Sequence, residues 1–328
     1  MNAADIKRQS ESAYNQWAKQ WREHAKYHAK HEFHPFEDLA NTGIGKALIL
    51  AANGYSLEEN FETLKENQDN VDIMCCDKSL GHLISRGVTP TYCLVCDANV
   101  DYEKYMKPYE DQLENTILVI NICGNPKWTD NGNWKKMYFF ANEDILESEK
   151  EFMELSGCKN IIPAATNVSN AMVVFSTQSS NKGRANYMGY DKIVLLGYDY
   201  SWRNDGNYYA FDKTADGKNN YMRHLYVADL SGNPCYTSSN LLFSAQWLEK
   251  YCRTFSLPVV QCGRHSLLNP GITGKLEDHI TYRHQPEDGK IIRDHIRERH
   301  NLMMRAKKIE QSIKRMGKDH HFAFVGSL

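Results

Sequence analysis

The residues of this 328-residue chain with the most chemical capacity stand directly after short apolar runs. The run at 47–52 ends in Asn53-Gly54-Tyr55-Ser56-Leu57-Glu58-Glu59, the run at 71–76 in Asp77-Lys78-Ser79, and the run at 92–96 in Asp97-Ala98-Asn99. A later run at 192–197 continues as Tyr198-Asp199-Tyr200-Ser201-Trp202, then Asn204-Asp205-Gly206-Asn207-Tyr208-Tyr209-Ala210-Phe211-Asp212. Two carboxylates at neighbouring strand tips can hold a ribose, a metal or a proton in transit. Asn-Gly permits the positive φ of a tight turn, and Ser56 with Glu59 three residues on spells a capping box. A helix N-terminus with free N–H groups is therefore expected beside that turn, as a seat for phosphate. The loop carrying Tyr198, Trp202 and Asn207 has the materials to stack a ring and hydrogen-bond hydroxyls.

Those residues need a scaffold that brings strand ends together. Continuous apolar runs of five or six residues suit strands buried on both faces, and the runs at 47–52, 71–76, 92–96 and 116–120 alternate with helical patterns at 57–67, 79–86 and 101–113. A strand at 192–197 follows a helix over about 168–180, and 258–261 is a candidate last strand. The expected fold is α/β, a doubly wound, Rossmann-like, mostly parallel sheet with helical N- and C-terminal extensions. Ligands of such a sheet bind beyond the carboxyl ends of its strands. The chain divides into a helical extension at 1–44, an α/β body at 45–282 and a basic helical tail at 283–328. In the first segment Tyr14, Trp17 and Trp21 form an aromatic stripe expected to dock on the body. The same helix carries His24, His28 and His31, with His34 beyond. No acidic third ligand accompanies them, so packing is favoured over a metal site.

Composition narrows the function classes. Thirty-nine Lys+Arg against 41 Asp+Glu give a net charge of -2, which excludes a protein whose whole surface grips nucleic acid. The charge is uneven: residues 283–318 hold 11 basic and 5 acidic side chains. That tail reads either as a solvated helix packed by its isoleucines or as a contact for an anionic partner such as DNA, a phosphorylated glycan or a membrane surface. Nine cysteines, an odd number lying mostly in apolar runs, read as buried thiols of a reducing compartment. Cys93-Leu94-Val95-Cys96 sits in a strand-like run, so its redox-motif spacing is read as structural. No apolar run approaches the ~18 residues of a bilayer span, and the first residues lack a signal-peptide core, so a cytoplasmic protein is expected. G-x-G-x-x-G is absent, and Gly43-Ile44-Gly45-Lys46 lacks P-loop spacing.

Several separated motifs carry a resemblance. They are Ala51-Ala52-Asn53-Gly54-Tyr55-Ser56-Leu57, then Asp77, then Arg86-Gly87-Val88-Thr89-Pro90 leading to Cys96-Asp97. Thr166-Asn167-Val168-Ser169 and the stretch from Met188-Gly189-Tyr190-Asp191-Lys192 to Gly197-Tyr198-Asp199 follow. In that order, over about 45–265, they resemble the 6-hydroxymethylpterin diphosphokinase MptE-like family, which includes motility accessory factors implicated in glycosylating flagellin. The stretches 53–57 and 189–212 are also similar to bacterial sialyltransferases that use CMP-sugar donors. Two departures stand out. Tyr55 occupies the place of a family proline, and the stretch Asn233-Pro234-Cys235-Tyr236-Thr237-Ser238-Ser239 lacks the histidine that the sialyltransferases use as base, leaving His224 as the nearest substitute.

The resemblance implies a transferase that holds a nucleotide with Asn53, Gly54, Ser56, Asp77, Asn167 and Ser169. Asp97, His224, Asp199 and Tyr209 become the candidate catalytic residues, and Tyr198, Trp202, Asn207 and Thr237 the candidate sugar or acceptor contacts. In a sugar-transfer version a CMP- or UDP-linked donor gives its sugar to the hydroxyl of a glycan, protein or small molecule, while Tyr209 steadies the leaving phosphate. In a diphosphokinase version Asp97, with Asp77 or Asp199, holds Mg²⁺ against the phosphates of ATP. Sugar transfer is preferred, because the tyrosine- and tryptophan-rich loop suits a sugar. A non-catalytic nucleotide-binding or assembly module with a basic tail is the reading from another class.

Overall fold

The structure is a computed structural model that describes residues 3–142, 147–163, 165–177, 188–202, 209–211 and 224–280. Its strands are β1 (Ala47–Ala51), β2 (Asp72–Cys76), β3 (Tyr92–Val95), β4 (Ile117–Asn121), β5 (Lys136–Asn142), β6 (Ile161–Ile162), β7 (Lys192–Leu196), β8 (His224–Ala228), β9 (Pro234–Ser238) and β10 (Val259–Gln261). Its α-helices are α1 (Ala3–His28), α2 (Ser56–Glu59), α3 (Phe61–Glu66), α4 (Asp77–Ile84), α5 (Tyr102–Tyr105), α6 (Lys127–Asp130), α7 (Glu147–Ser156), α8 (Val168–Thr177), α9 (Ser239–Phe255) and α10 (Glu277–Ile280). Eight strands make one sheet in the order β10-β7-β1-β2-β3-β4-β5-β6, and every neighbouring pair in it is parallel. This is the expected α/β, Rossmann-like arrangement.

The all-apolar strands follow from a sheet covered on both faces. Side chains alternate across a strand, so Ala47, Ile49 and Ala51 enter one core with Leu57, Leu80 and Phe139. Leu48, Leu50 and Ala52 enter the other, with Met172, Phe175 and Leu248. From β1 the chain builds outward through β2 to β6, then returns to place β7 and β10 on the other side of β1. The winding reverses between β1 and β7, and beyond the carboxyl ends of those two strands such a sheet leaves a crevice for ligand.

Residues 3–280, so far as they are described, belong to one compact unit, and the expected basic helical tail at 283–328 lies outside the described residues. Helix α1 is packed as expected. Tyr14 and Trp21 meet Phe152 of α7 (ring centroids 6.2 and 6.0 Å), and Arg22 pairs with Glu151 at 2.5 Å. His24 and His28 donate from Nδ1 to the carbonyls of Cys123 (2.9 Å) and Ile122 (2.8 Å). His31 stacks on Phe139. These histidines are packing residues; burial lowers the pKa of His28 to about 4, so it is neutral in the fold.

Strands β5 and β6 and the antiparallel hairpin β8–β9 were not foreseen from the sequence. The hairpin buttresses the loop after β7: Trp202 donates its N–H to Tyr236 O (2.7 Å), and Thr237 donates its hydroxyl to Tyr200 O (2.6 Å). Cys75 and Cys93 face each other in adjacent strands, and burial raises their pKa values along with that of Cys96, so these thiols are inert structural groups. Among the described residues, no helix is long and apolar enough to cross a membrane.

Candidate functional site

The Asn53-to-Ser56 turn is clamped to the end of β7. Gly54 N–H donates to Gly197 O (3.0 Å), Gly197 N–H donates to Ser56 Oγ (3.0 Å), and Ser56 N–H donates to an Asp199 carboxylate oxygen (2.8 Å). Gly197 has φ +71°, whereas Gly54 is not in the left-handed region. Gly54 is required by close approach instead, because a Cβ there would collide with Gly197 O and the Asp199 carboxylate. Tyr200, in the same loop, takes φ +58°, a conformation costly for a side chain with a Cβ.

Two expectations about this turn are corrected. Tyr55, not Ser56, precedes α2, and no side chain caps that helix, so the Ser56–Glu59 capping box does not form. Ser56 is fully buried, and its N–H is already taken by Asp199. The protein's own carboxylate thus sits where a phosphate was expected, since an anion satisfies a helix N-terminus whichever molecule supplies it. Ser56 and Asp199 shape the turn rather than present free groups.

A cavity of ≈ 420 Å³ opens beyond the strand ends. Asn53 and Gly54 line it from β1, Asp77 and Lys78 from β2, Cys96 and Asp97 from β3 and Asn142 from β5. Asn167, Val168 and Ser169 line it from the start of α8, and Tyr198 to Ser201 and Tyr209 from the far side. Asn167 accepts the Asn170 N–H (2.9 Å) and so caps α8, which turns that helix N-terminus into the cavity wall. The carboxamide of Asn53 is buried, and neither its oxygen nor its nitrogen finds a partner among the described residues. A buried amide left without hydrogen bonds is costly, so this one is poised for a polar ligand.

The carboxylates differ in environment. Asp77 is 2% exposed, and burial pushes its pKa up to about 6, aided by Asp97 and opposed by Lys78, whose own N–H donates to it at 2.7 Å. Asp97 is exposed at the cavity and accepts the Asn99 N–H (2.8 Å). Lys78 reaches across to donate to the Tyr209 hydroxyl at 3.0 Å. Tyr209 is fixed in turn: its backbone bridges Gly54, Ala210 N–H donates to Asn53 O (2.9 Å), and Phe211 packs against Phe61 with Arg86 over its ring.

Of the residues nominated from the sequence, the cavity gathers Asn53, Gly54, Asp77, Asp97, Asn167, Ser169, Tyr198, Asp199 and Tyr209. Tyr198 donates its hydroxyl to Ser169 O (2.8 Å) and is almost wholly buried, which makes it part of the floor. Ser56, Trp202 and Thr237 do not line the cavity; Thr237 is fully buried beneath Tyr200, and Trp202 ties its loop to the hairpin. His224 opens β8, its side chain outside the described residues, and Asn207 lies outside them altogether. Sequence reasoning missed Lys78 and Asn142. It also missed a pair just beyond the cavity, where His265 Nδ1 donates to the buried Asp229 at 2.9 Å. Lys78 was adjacent to a nominated aspartate, but nothing local distinguishes it from a solvated lysine.

Among the described residues the donor set builds no resident metal site. Among the described residues no three His, Cys, Asp or Glu side chains converge on a point, and Asp199 is engaged by Ser56.

The sequence matches the family described as 6-hydroxymethylpterin diphosphokinase MptE-like over residues 19–205, more than half of the chain. Among solved structures, the MAf glycosyltransferase from Magnetospirillum magneticum AMB-1 is similar, with a TM-score of 0.55 at 12% identity over 85% of this chain and 42% of that one. This chain thus spans less than half the length of that protein, and the likeness is one of fold. No curated protein matches the sequence.

Proposed function

We propose that this chain, which belongs to the 6-hydroxymethylpterin diphosphokinase MptE-like family, is a nucleotide-dependent transferase that moves a sugar from a CMP- or UDP-type donor to an acceptor hydroxyl. The observation that carries the reading is the cavity at the β1–β7 reversal, where the Asn53 amide has no hydrogen-bond partner among the described residues and the Asp77, Asp97 and Asp199 carboxylates and the α8 N-terminus line the wall. Asn53 and Asp77 face the nucleoside, and the start of α8 at Asn167 and Ser169 offers N–H groups to its hydroxyls or phosphate. Asp97, the exposed carboxylate at the cavity, takes the acceptor proton as the acceptor oxygen bonds to the sugar's anomeric carbon. The bond from that carbon to the donor phosphate breaks, its electron pair leaving on the phosphate oxygen. The structural neighbour, a glycosyltransferase, supports the sugar over other groups.

A second reading, pyrophosphoryl transfer from ATP, draws on the family's description and on the two strand-tip carboxylates. A thermal-shift panel with CMP, UDP, GDP, ATP and a CMP-sugar, each with and without Mg²⁺, separates the two, because a ligand that binds only the folded state raises its stability. A metal-independent shift with a pyrimidine nucleotide supports sugar transfer. A shift with ATP alone, dependent on Mg²⁺, supports the diphosphokinase reading, and no shift favours a non-catalytic module.

A further inference from the structure

We infer that Lys78 is the phosphate-binding residue of this site, gripping the phosphate of a nucleotide together with the Tyr209 hydroxyl it already holds. The inference rests on the nucleotide reading above and adds the charge that reading lacks. The seat anticipated at α2 is closed, because Asp199 occupies the Ser56 N–H. Among the described residues that line the cavity, Lys78 is the only cation, whereas Asp77, Asp97 and Asp199 all line it. A doubly charged phosphate entering such a wall meets repulsion unless a cation stands at its landing point.

Lys78 is an unusual place for a purely structural lysine. It lies in the first turn of α4, where the helix dipole opposes a positive charge, and it is half-buried, which opposes the charge again. Its pKa is nevertheless raised: burial pulls it down, but Tyr209 and Asp77 outweigh burial. The ammonium has three N–H groups, and among the described residues Tyr209 is its hydrogen-bond partner. Tyr209 is itself pinned to the nucleotide turn through Gly54 and Asn53. The arrangement delivers a positive charge and a phenol to one side of the cavity. That pair matches the charge-assisted contacts a phosphate oxygen makes.

The test compares nucleoside with nucleotide on the full chain. Cytidine, CMP, uridine and UMP are titrated against the wild type, Lys78→Gln and Lys78→Arg, with urea midpoints verifying the fold. The wild type should prefer the monophosphate over its nucleoside. Lys78→Gln should lose about 10- to 100-fold in nucleotide affinity, the size of a charged hydrogen bond, while nucleoside affinity stays unchanged. Lys78→Arg should keep most of the preference. In the unmodified protein the same preference should shrink at high ionic strength, a reading available even if Lys78→Gln does not fold. A Lys78→Gln protein that binds monophosphates as tightly as the wild type overturns the inference and leaves nucleotide binding standing. If the wild type binds neither nucleoside nor nucleotide, the nucleotide reading falls and this inference with it.

Discussion

Replacing Asp77 by asparagine should stabilise the protein, by an amount that grows as pH rises from about 4 to about 6 and is then constant. Asp77 is almost wholly buried at the end of β2. Burial, the largest influence, and then Asp97 raise its pKa from 3.8 to about 6, against Lys78, which lowers it through its ammonium and its N–H. Because the folded state holds the proton more tightly than the unfolded chain does, the associated stability is present below the unfolded value and lost as pH rises through about 6. At 1.36 kcal/mol per pH unit, the ionised carboxylate costs about 3 kcal/mol above pH 7, about 1 kcal/mol at pH 4.5 and almost nothing below pH 3. Asparagine retains an oxygen for the Lys78 N–H bond of 2.7 Å and carries no charge to desolvate. Urea denaturation of wild type and Asp77→Asn should show a variant more stable by about 1 kcal/mol at pH 4.5 and by about 3 kcal/mol at pH 8. Equal differences at both pH values, or a destabilised variant at pH 8, would refute the reasoning. A carboxylate kept at this cost is what a working site would retain, so the stabilised variant is also expected to bind nucleotide more weakly.

Three other outcomes follow from the geometry. Gly54→Ala should be destabilised by about 1–3 kcal/mol and lose ligand-induced thermal shifts, because its methyl meets Gly197 O and the Asp199 carboxylate; an unchanged melting temperature would count against the clamp. His28 is neutral in the fold with a pKa of about 4 against 6.5 unfolded, so its stabilising effect holds above pH 6.5 and fades as pH falls toward 4. Amide protection factors in α1, corrected for the intrinsic pH dependence of exchange, should fall between pH 7 and pH 5, and His28→Leu should flatten that dependence. Asp97→Asn should fold normally and retain nucleotide binding but lose turnover by about two to four powers of ten, the range of general-base catalysis; retained turnover would remove Asp97 from the proton path.

The central strands were legible because a parallel strand buried on both faces writes its position as an uninterrupted apolar run. Strand β5 carries such a run, Met137 to Ala141, yet short aromatic runs read equally well as buried helix. The hairpin β8–β9 was hidden by its exposed face, on which Tyr226 and Tyr236 stack in tilted fashion. At the site, the rule that ligands gather at strand tips found Asn53, Asp77, Asp97 and Asp199. It could not find what those groups bind. Asp199 reaches Ser56 across 143 positions and Lys78 reaches Tyr209 across 131, so the closure of the α2 seat and the identity of the cavity's cation are tertiary facts. Gly54 was nominated for a turn conformation it does not adopt; its need arises from the strand packed against it.

The most direct measurement is release of free nucleotide from a panel of CMP- and UDP-sugars by the wild type and Asp97→Asn, in the presence of hydroxyl-bearing acceptors. Acceptor-dependent release of CMP or UDP by the wild type, absent in Asp97→Asn, is the predicted result. Release by neither protein across the panel, with ATP consumed instead, would contradict sugar transfer.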